Sequence, residues 1–318
     1  MGHGGYSYAA HQAITSARAN LDAQQVFTQT GVHPLMNPHG VKFRECRDSA
    51  EHPEALAICF ALDISGSMGD IPDLLARREL PKFMKTLMSC AVAHPQLLFM
   101  AFADARCDGT PLQVGQFEST AELIDKWLTL TSLAGQPGSS YSGPLEGGES
   151  YELALYFAAR HTSVDAFEKR GRKGYLFMTG DEPAYPAVPA ETVRITLGEE
   201  IQADLPIGDV MTELRQKWNP FFLIPDAARR SVEPYWRGVF GDDVICLEDP
   251  ADTCAASAAI IALAEDLVHG LDDVAYVLQD GGISAERVGA TMKAITPWWE
   301  RRSGAAPSKP AKQGKKKR

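Results

Sequence analysis

The chain of 318 residues has no uninterrupted apolar run of 18 residues, so no segment reads as a membrane span. Its start, Met1-Gly-His-Gly-Gly-Tyr-Ser-Tyr8, lacks the basic stretch followed by an apolar one that a secretory signal requires. Gly2 opens like an N-myristoylation motif, but Tyr6 stands where that motif wants Ser or Thr. The six cysteines, at 46, 59, 90, 107, 246 and 254, include no C-x-x-C pair, and the eight histidines show no metal-ligand spacing. Reduced core thiols in a cytoplasmic protein are expected. No repeat of fixed period is present.

What is there is an acidic body with a basic end. Eight of the 31 Lys and Arg residues fall in 301–318, which has no acid; the first 300 residues keep 23 against 41 acids, a formal charge of −18. Such a body repels nucleic-acid phosphates, whereas the tail attracts them. The hydrophobic fraction of 45% suffices for a full core.

Short apolar runs recur at Ala55–Leu62, Leu97–Ala103, Tyr175–Met178, Phe221–Ile224 and Val244–Leu247. Uninterrupted runs of this length suit strands buried on both faces of a parallel sheet. Leu112–Phe117 partly alternates and is expected as an antiparallel edge strand. Between the runs lie helical patterns: Pro72 and Pro81 in first turns of consecutive helices, a capping box Ser119-Thr-Ala-Glu122, an apolar helix over Glu149–Arg160, and an Ala-rich helix capped by Asp252 and running to His269. The expected fold is α/β, a doubly wound, mostly parallel sheet with one antiparallel edge strand and terminal helical extensions. The expected division is an extension over 1–52, a domain over 53–270 with an insertion at 183–218, two helices in 271–302 and a disordered basic tail over 303–318. The second of those helices should turn Val288, Met292, Ile295 and Trp299 to one side.

The loop after the first long run reads Asp63-Ile-Ser65-Gly-Ser67-Met-Gly-Asp70. Three oxygen-bearing side chains at alternate positions, past a buried strand, can converge on one point, and carboxylate and hydroxyl oxygens suit hard cations such as magnesium. This pattern resembles the von Willebrand factor A family, whose metal-ion-dependent adhesion site begins Asp-x-Ser-x-Ser at the end of the first strand. Over roughly 53–270 the resemblance implies a Rossmann-like fold in which Ser65 and Ser67 bind metal directly and Asp63 acts largely through water. It also implies an aspartate after the fourth strand, which Asp181 supplies in Thr179-Gly180-Asp181, although the common family order has no glycine between the two. Where the family carries threonine in a Gly-Gly-Thr turn, Gly147-Gly148-Glu149 places Glu149, with Ser150 one residue away. The site expected is Asp63, Ser65, Ser67, Glu149 and Asp181 around Mg2+ or Mn2+. Asp104 and Asp108 read as turn residues.

Enzyme signatures are missing. No G-x-x-x-x-G-K-[ST] phosphate loop exists, position 65 is not the glycine of a G-x-S-x-G elbow, and Ser65 stands where a haloacid dehalogenase-type phosphatase wants a second aspartate. The expected function is a non-enzymatic, metal-dependent protein-binding module that captures an Asp or Glu of a partner. Stand-alone intracellular bacterial proteins of this family, by resemblance, work beside AAA+ ATPases, kinases or phosphatases. The alternatives are a scaffold that binds nucleic acid through the basic tail, and a metal-dependent phosphohydrolase.

Overall fold

The computed structural model describes residues 4–66, 68, 70–92, 94–109, 111–133 and 149–304. The basic tail therefore lies almost wholly outside the described residues, as do Ser67, Gly147 and Gly148. A six-stranded sheet organises the chain, with β1 Leu56–Asp63, β2 Pro95–Phe102, β3 Leu112–Val114, β4 Gly174–Thr179, β5 Trp218–Ile224 and β6 Val244–Cys246 in spatial order β6-β5-β4-β1-β2-β3. All neighbours are parallel except β3, which pairs antiparallel with β2 at the edge. This is the doubly wound sheet with one antiparallel edge strand. Its order turns at β1, flanked by β2 on one side and β4 on the other, so the loops after β1 and β4 open the crevice where such sheets bind ligands.

Strand alternation sorts β1 between two cores. Leu56, Ile58, Phe60 and Leu62 enter the core that contains the helices Leu80–Ser89 and Thr253–Ala264. Ala57, Cys59 and Ala61 enter the other, beside the helices Tyr151–Arg160 and Ile207–Lys217. Small side chains on the second face let the helix Tyr151–Arg160 sit close, and every residue from Tyr151 to Ala158 is buried. Asp63 continues the odd-numbered series and so points to that helix. Among the described residues the cysteines form no disulfide, and Cys46, Cys59, Cys90 and Cys254 are buried. No described helix is long and apolar enough to cross a membrane.

The segments outside the sheet are knitted into it. Arg44–Cys46 forms a parallel pair with Thr162–Val164. The helix Tyr8–Ala17 is followed by Arg18, whose guanidinium meets Asp125 at 2.5 Å. Residues 183–218 hold the antiparallel pair Ala187–Val188 and Leu205–Pro206, and the helices Ala190–Leu197 and Ile207–Lys217.

Several local expectations are corrected. The helix cap at 119–122 is Thr120, whose Oγ1 accepts from Leu123 N–H, while Ser119 turns its hydroxyl to the carbonyl of Gly4. The Ala-rich helix ends at Ala264, and Asp266 adopts a φ of 53° before a separate helix, Leu271–Asp280. Asp252 does not cap it, because its carboxylate accepts from Arg287 Nε at 2.8 Å. Pro72 and Pro81 lie in one continuous helical stretch over 70–89 that widens into a π-helical turn at Leu75–Glu79, just ahead of Pro81, which has no N–H to donate. In the last helix, Ala285–Ser303, Trp298 rather than Trp299 is buried; its Nε1 donates to Asp243 and its ring meets Phe221 edge-on.

Candidate metal centre

Asp63 ends β1 and is fully buried, and both its oxygens are engaged. Oδ1 accepts from the Ser65 N–H at 2.9 Å, which folds the loop back over the strand end; Oδ2 accepts from the Tyr151 hydroxyl at 2.7 Å. Burial pushes the Asp63 carboxyl up to about 7, the bonds from Tyr151 and Ser65 pull against that, and the charge of Asp181 adds to it. Ser65 is buried beside it.

Tyr151 is the hub. Its hydroxyl donates to Asp63 and accepts from the N–H groups of Asp181 at 3.2 Å and Glu182 at 3.3 Å, joining the loops after β1 and β4. The ring packs edge-on against Phe102 and Trp236, with centroids 4.7 and 4.9 Å away. Gly180 makes room for it: a Cβ at that position would stand 2.3 Å from Tyr151 Cε1 and from its hydroxyl oxygen. The glycine that separates Thr179 from Asp181 thus has a physical cause. It is the seat of the tyrosine.

Glu149 bridges to Ala184 through its backbone and is nine-tenths buried. Burial pushes its carboxyl up to about 9, with Asp63, Asp104, Asp108 and Glu182 adding repulsion. Asp181 Oδ2 accepts from Arg229 Nε–H at 3.1 Å. Ser150 turns its hydroxyl away, accepting from the Ala105 N–H at 2.9 Å. Three oxygens buried in these loops and strand ends, Glu149 Oε2, Thr179 Oγ1 and Asp181 Oδ1, have no hydrogen-bond partner among the described residues. An unmatched buried acceptor is costly, more so when it is charged.

The structure therefore brings Asp63, Ser65, Glu149 and Asp181 to the carboxyl ends of β1 and β4, while Ser67 falls outside the described residues. Asp104 and Asp108 do hold a turn: Asp104 accepts from the Arg106 N–H, and its own N–H donates to Asp108. They also belong electrostatically to the site, since both raise Glu149. Sequence reasoning missed Tyr151 and Arg229. The available signal for the first was a polar aromatic opening an apolar helix, with a glycine after a strand end to receive it.

Among the described residues no three His, Cys, Asp or Glu side chains suffice to cage a metal ion. The donor set here is mixed, hydroxyl with carboxylate, and it is rich in negative charge. Its hard oxygens and its orphaned acceptors fit a hard divalent cation.

No family model and no curated protein matches the chain. Solved structures that resemble it include the pilus adhesin SpaC of Lactobacillus rhamnosus GG in its open conformation, with a TM-score of 0.43 at 10% identity over 71% of this chain and 31% of that one. Proximal thread matrix protein 1 of the mussel byssus has a TM-score of 0.39 at 11% identity over 70% of this chain and 49% of that one. A form of the mussel protein with a zinc-occupied MIDAS motif has the same score and identity. The chain thus spans 31% to 49% of the length of these proteins.

Proposed function

We propose that the chain is a von Willebrand factor A-like module that binds a protein partner through a divalent cation, Mg2+ or Mn2+. Ser65, Ser67, Asp181 and Glu149 would hold the ion, with Asp63 behind them. Bound there, the ion supplies positive charge and an open coordination position for a partner's Asp or Glu. The observation that carries this reading is the Tyr151 bridge, which ties the Asp63 carboxylate to the backbone of Asp181 while Glu149 and Asp181 keep unpartnered buried oxygens.

The chain's own groups divide the work. Tyr151 and the Ser65 N–H hold Asp63 in one orientation, and Arg229 holds Asp181. Glu149, in place of the family's threonine, adds a negative charge that lowers the net pull on an acidic ligand and sets a weaker, more reversible contact. A cytoplasmic location, a bacterial source and service beside an AAA+ ATPase, kinase or phosphatase belong to the same reading, as does the absence of catalysis.

The test is calorimetric titration of Mg2+ and Mn2+ into the metal-free chain, alongside capture of partners with and without EDTA. Saturable binding that is lost in Asp63→Ala and in Asp181→Asn, with capture lost in parallel, is expected. Capture indifferent to EDTA and to both substitutions would overturn the reading.

A further inference from the structure

Beside the acidic cluster lies a cleft of about 450 Å3 built from three separate parts of the chain. Val32, Pro38 and His39 come from the N-terminal segment, Asp108 and Leu112 from the loop after β2 and the edge strand it leads into, and Ile195 from the helix Ala190–Leu197. Two of the walls are locked together. The Gly40 N–H donates to the Leu197 carbonyl at 2.9 Å, and Gly198, at a φ of 72°, lies so close to the His39 ring that a Cβ there would stand 2.9 Å from it.

The cleft lining includes one carboxylate, Asp108, and neither Lys nor Arg. Asp108 Oδ2 accepts from the Asp104 N–H, and its Oδ1 is buried without a partner among the described residues. The nearby cations are engaged elsewhere: Arg106 lies over the Tyr185 ring, 3.8 Å from its centroid, and Arg194 pairs with Glu191 at 2.5 Å. The loop is also tied to the start of the helix Tyr151–Arg160, since Ala105 N–H donates to the Ser150 hydroxyl at 2.9 Å.

We propose that this cleft receives a Lys or Arg side chain of the same protein partner whose carboxylate completes the metal site, a proposal that rests on the metal-dependent reading above. An aliphatic stem packs against Pro38, Leu112 and Ile195, and the cationic head meets Asp108. A neutral apolar occupant leaves the Asp108 carboxylate without a counter-charge, and an acidic one adds a like charge beside it. The partner motif is therefore mixed, one acid for the ion and one base for the cleft.

The probe is agmatine, a four-carbon stem with a guanidinium at one end and an ammonium at the other, titrated into the full chain by NMR, with N-butylacetamide as the neutral comparison. Agmatine should shift the amides of residues 39, 108, 112 and 195 in EDTA as well as in Mg2+. Asp108→Asn should weaken it on the order of tenfold, the size of a lost charge-assisted bond. Ile195→Lys, a change at a side chain 63% exposed, should weaken it comparably without touching the loop. Equal affinity for the neutral probe, shifts confined to other residues, or wild-type affinity in both variants would overturn the subsite. Failure of agmatine with Mg2+ binding intact sinks the subsite alone. Agmatine binding with Mg2+ binding absent supports the basic subsite and sinks the metal reading.

Discussion

Two groups of buried carboxylates in this chain are treated in opposite ways. Glu79 and Asp252, at 3% and 2% exposure, share a guanidinium: Arg287 donates to both oxygens of Glu79 at 3.1 Å and to Asp252 at 2.8 Å. Asp63 and Glu149, at 0% and 8% exposure, pair with no Lys or Arg among the described residues, and Asp181 receives part of one. Where the chain builds in its cation, the acids fasten the C-terminal helix to the helices Leu80–Ser89 and Thr253–Ala264. Where it leaves the cation out, Asp63 and Glu149 are pushed toward protonation, and Glu149 Oε2 and Asp181 Oδ1 have no hydrogen-bond partner among the described residues. The first arrangement is structural; the second is ready for an ion from outside.

The comparison breaks most sharply at Arg287. Arg287→Met strands Asp252 and leaves Glu79 only Lys82 Nζ, at 3.2 Å, and the expected loss is about 3–5 kcal/mol in urea unfolding. Divalent cation should not restore it. Restoration by Mg2+, or a loss below about 1 kcal/mol, would erase the distinction between the two groups.

Gly180→Ala is next. The added methyl collides with Tyr151, so either the ring or the loop must shift, at about 1–3 kcal/mol. Unlike the change at Arg287, it should also weaken Mg2+ binding severalfold, because the shift separates Asp63 from Asp181. Calorimetry on a variant shown to be folded by circular dichroism checks this. Unchanged metal affinity would make Tyr151 a packing residue only.

A pH series sharpens the contrast without mutation. Asp63, Glu152 and Glu149 are held up near 7, 8 and 9 by burial, well above their ordinary values. For acids raised on folding, the stabilising contribution is complete below the unfolded value near pH 4 and is lost as pH rises through the folded values. The metal-free chain should therefore lose stability steadily from pH 5 to pH 9. Asp48 is held low chiefly by Arg170, and Glu168 first by the Ser163 hydroxyl and then by Arg47, so their contribution disappears only at more acid pH, outside this window. Metal at a hundred times its dissociation constant should add about 2.7 kcal/mol. Its effect should grow with pH as protons stop competing. Urea midpoints in EDTA and in Mg2+ measure both, and parallel pH curves would rule out a shared site.

How far the sequence carried this reading depends on the range of each interaction. The strand Ala55–Leu62, the edge strand after Leu112 and the strand-end position of Asp63 and Asp181 follow from patterns a few residues long, and all are found. Asp252 looked like a cap because Ser, Thr, Asn and Asp favour that place; Arg287, 35 residues away, claims its carboxylate instead. The pairing of Arg44–Cys46 with Thr162–Val164 has no local signal either. Gly180 is the sharpest case. As a departure from a family pattern it is unreadable, and its cause lies 29 positions away in the ring of Tyr151.

Tyr151→Phe tests the hub with the smallest change, one oxygen. The ring still packs on Phe102 and Trp236, so the expected loss of stability is modest, about 1 kcal/mol. Its effect on the metal should depend on pH. The Tyr151 hydroxyl favours the ionised form of Asp63, and without it the carboxyl titrates higher than about 7. A proton then competes with the ion over a wider range. The variant should bind Mg2+ much more weakly than the parent at pH 6 and only slightly more weakly at pH 9. Titrations at pH 6, 7.5 and 9 separate this from a steric effect, which would lower affinity by the same factor throughout. Convergence at high pH would show that the tyrosine keeps Asp63 ionised, the step by which a buried acid in the open group becomes able to hold a cation.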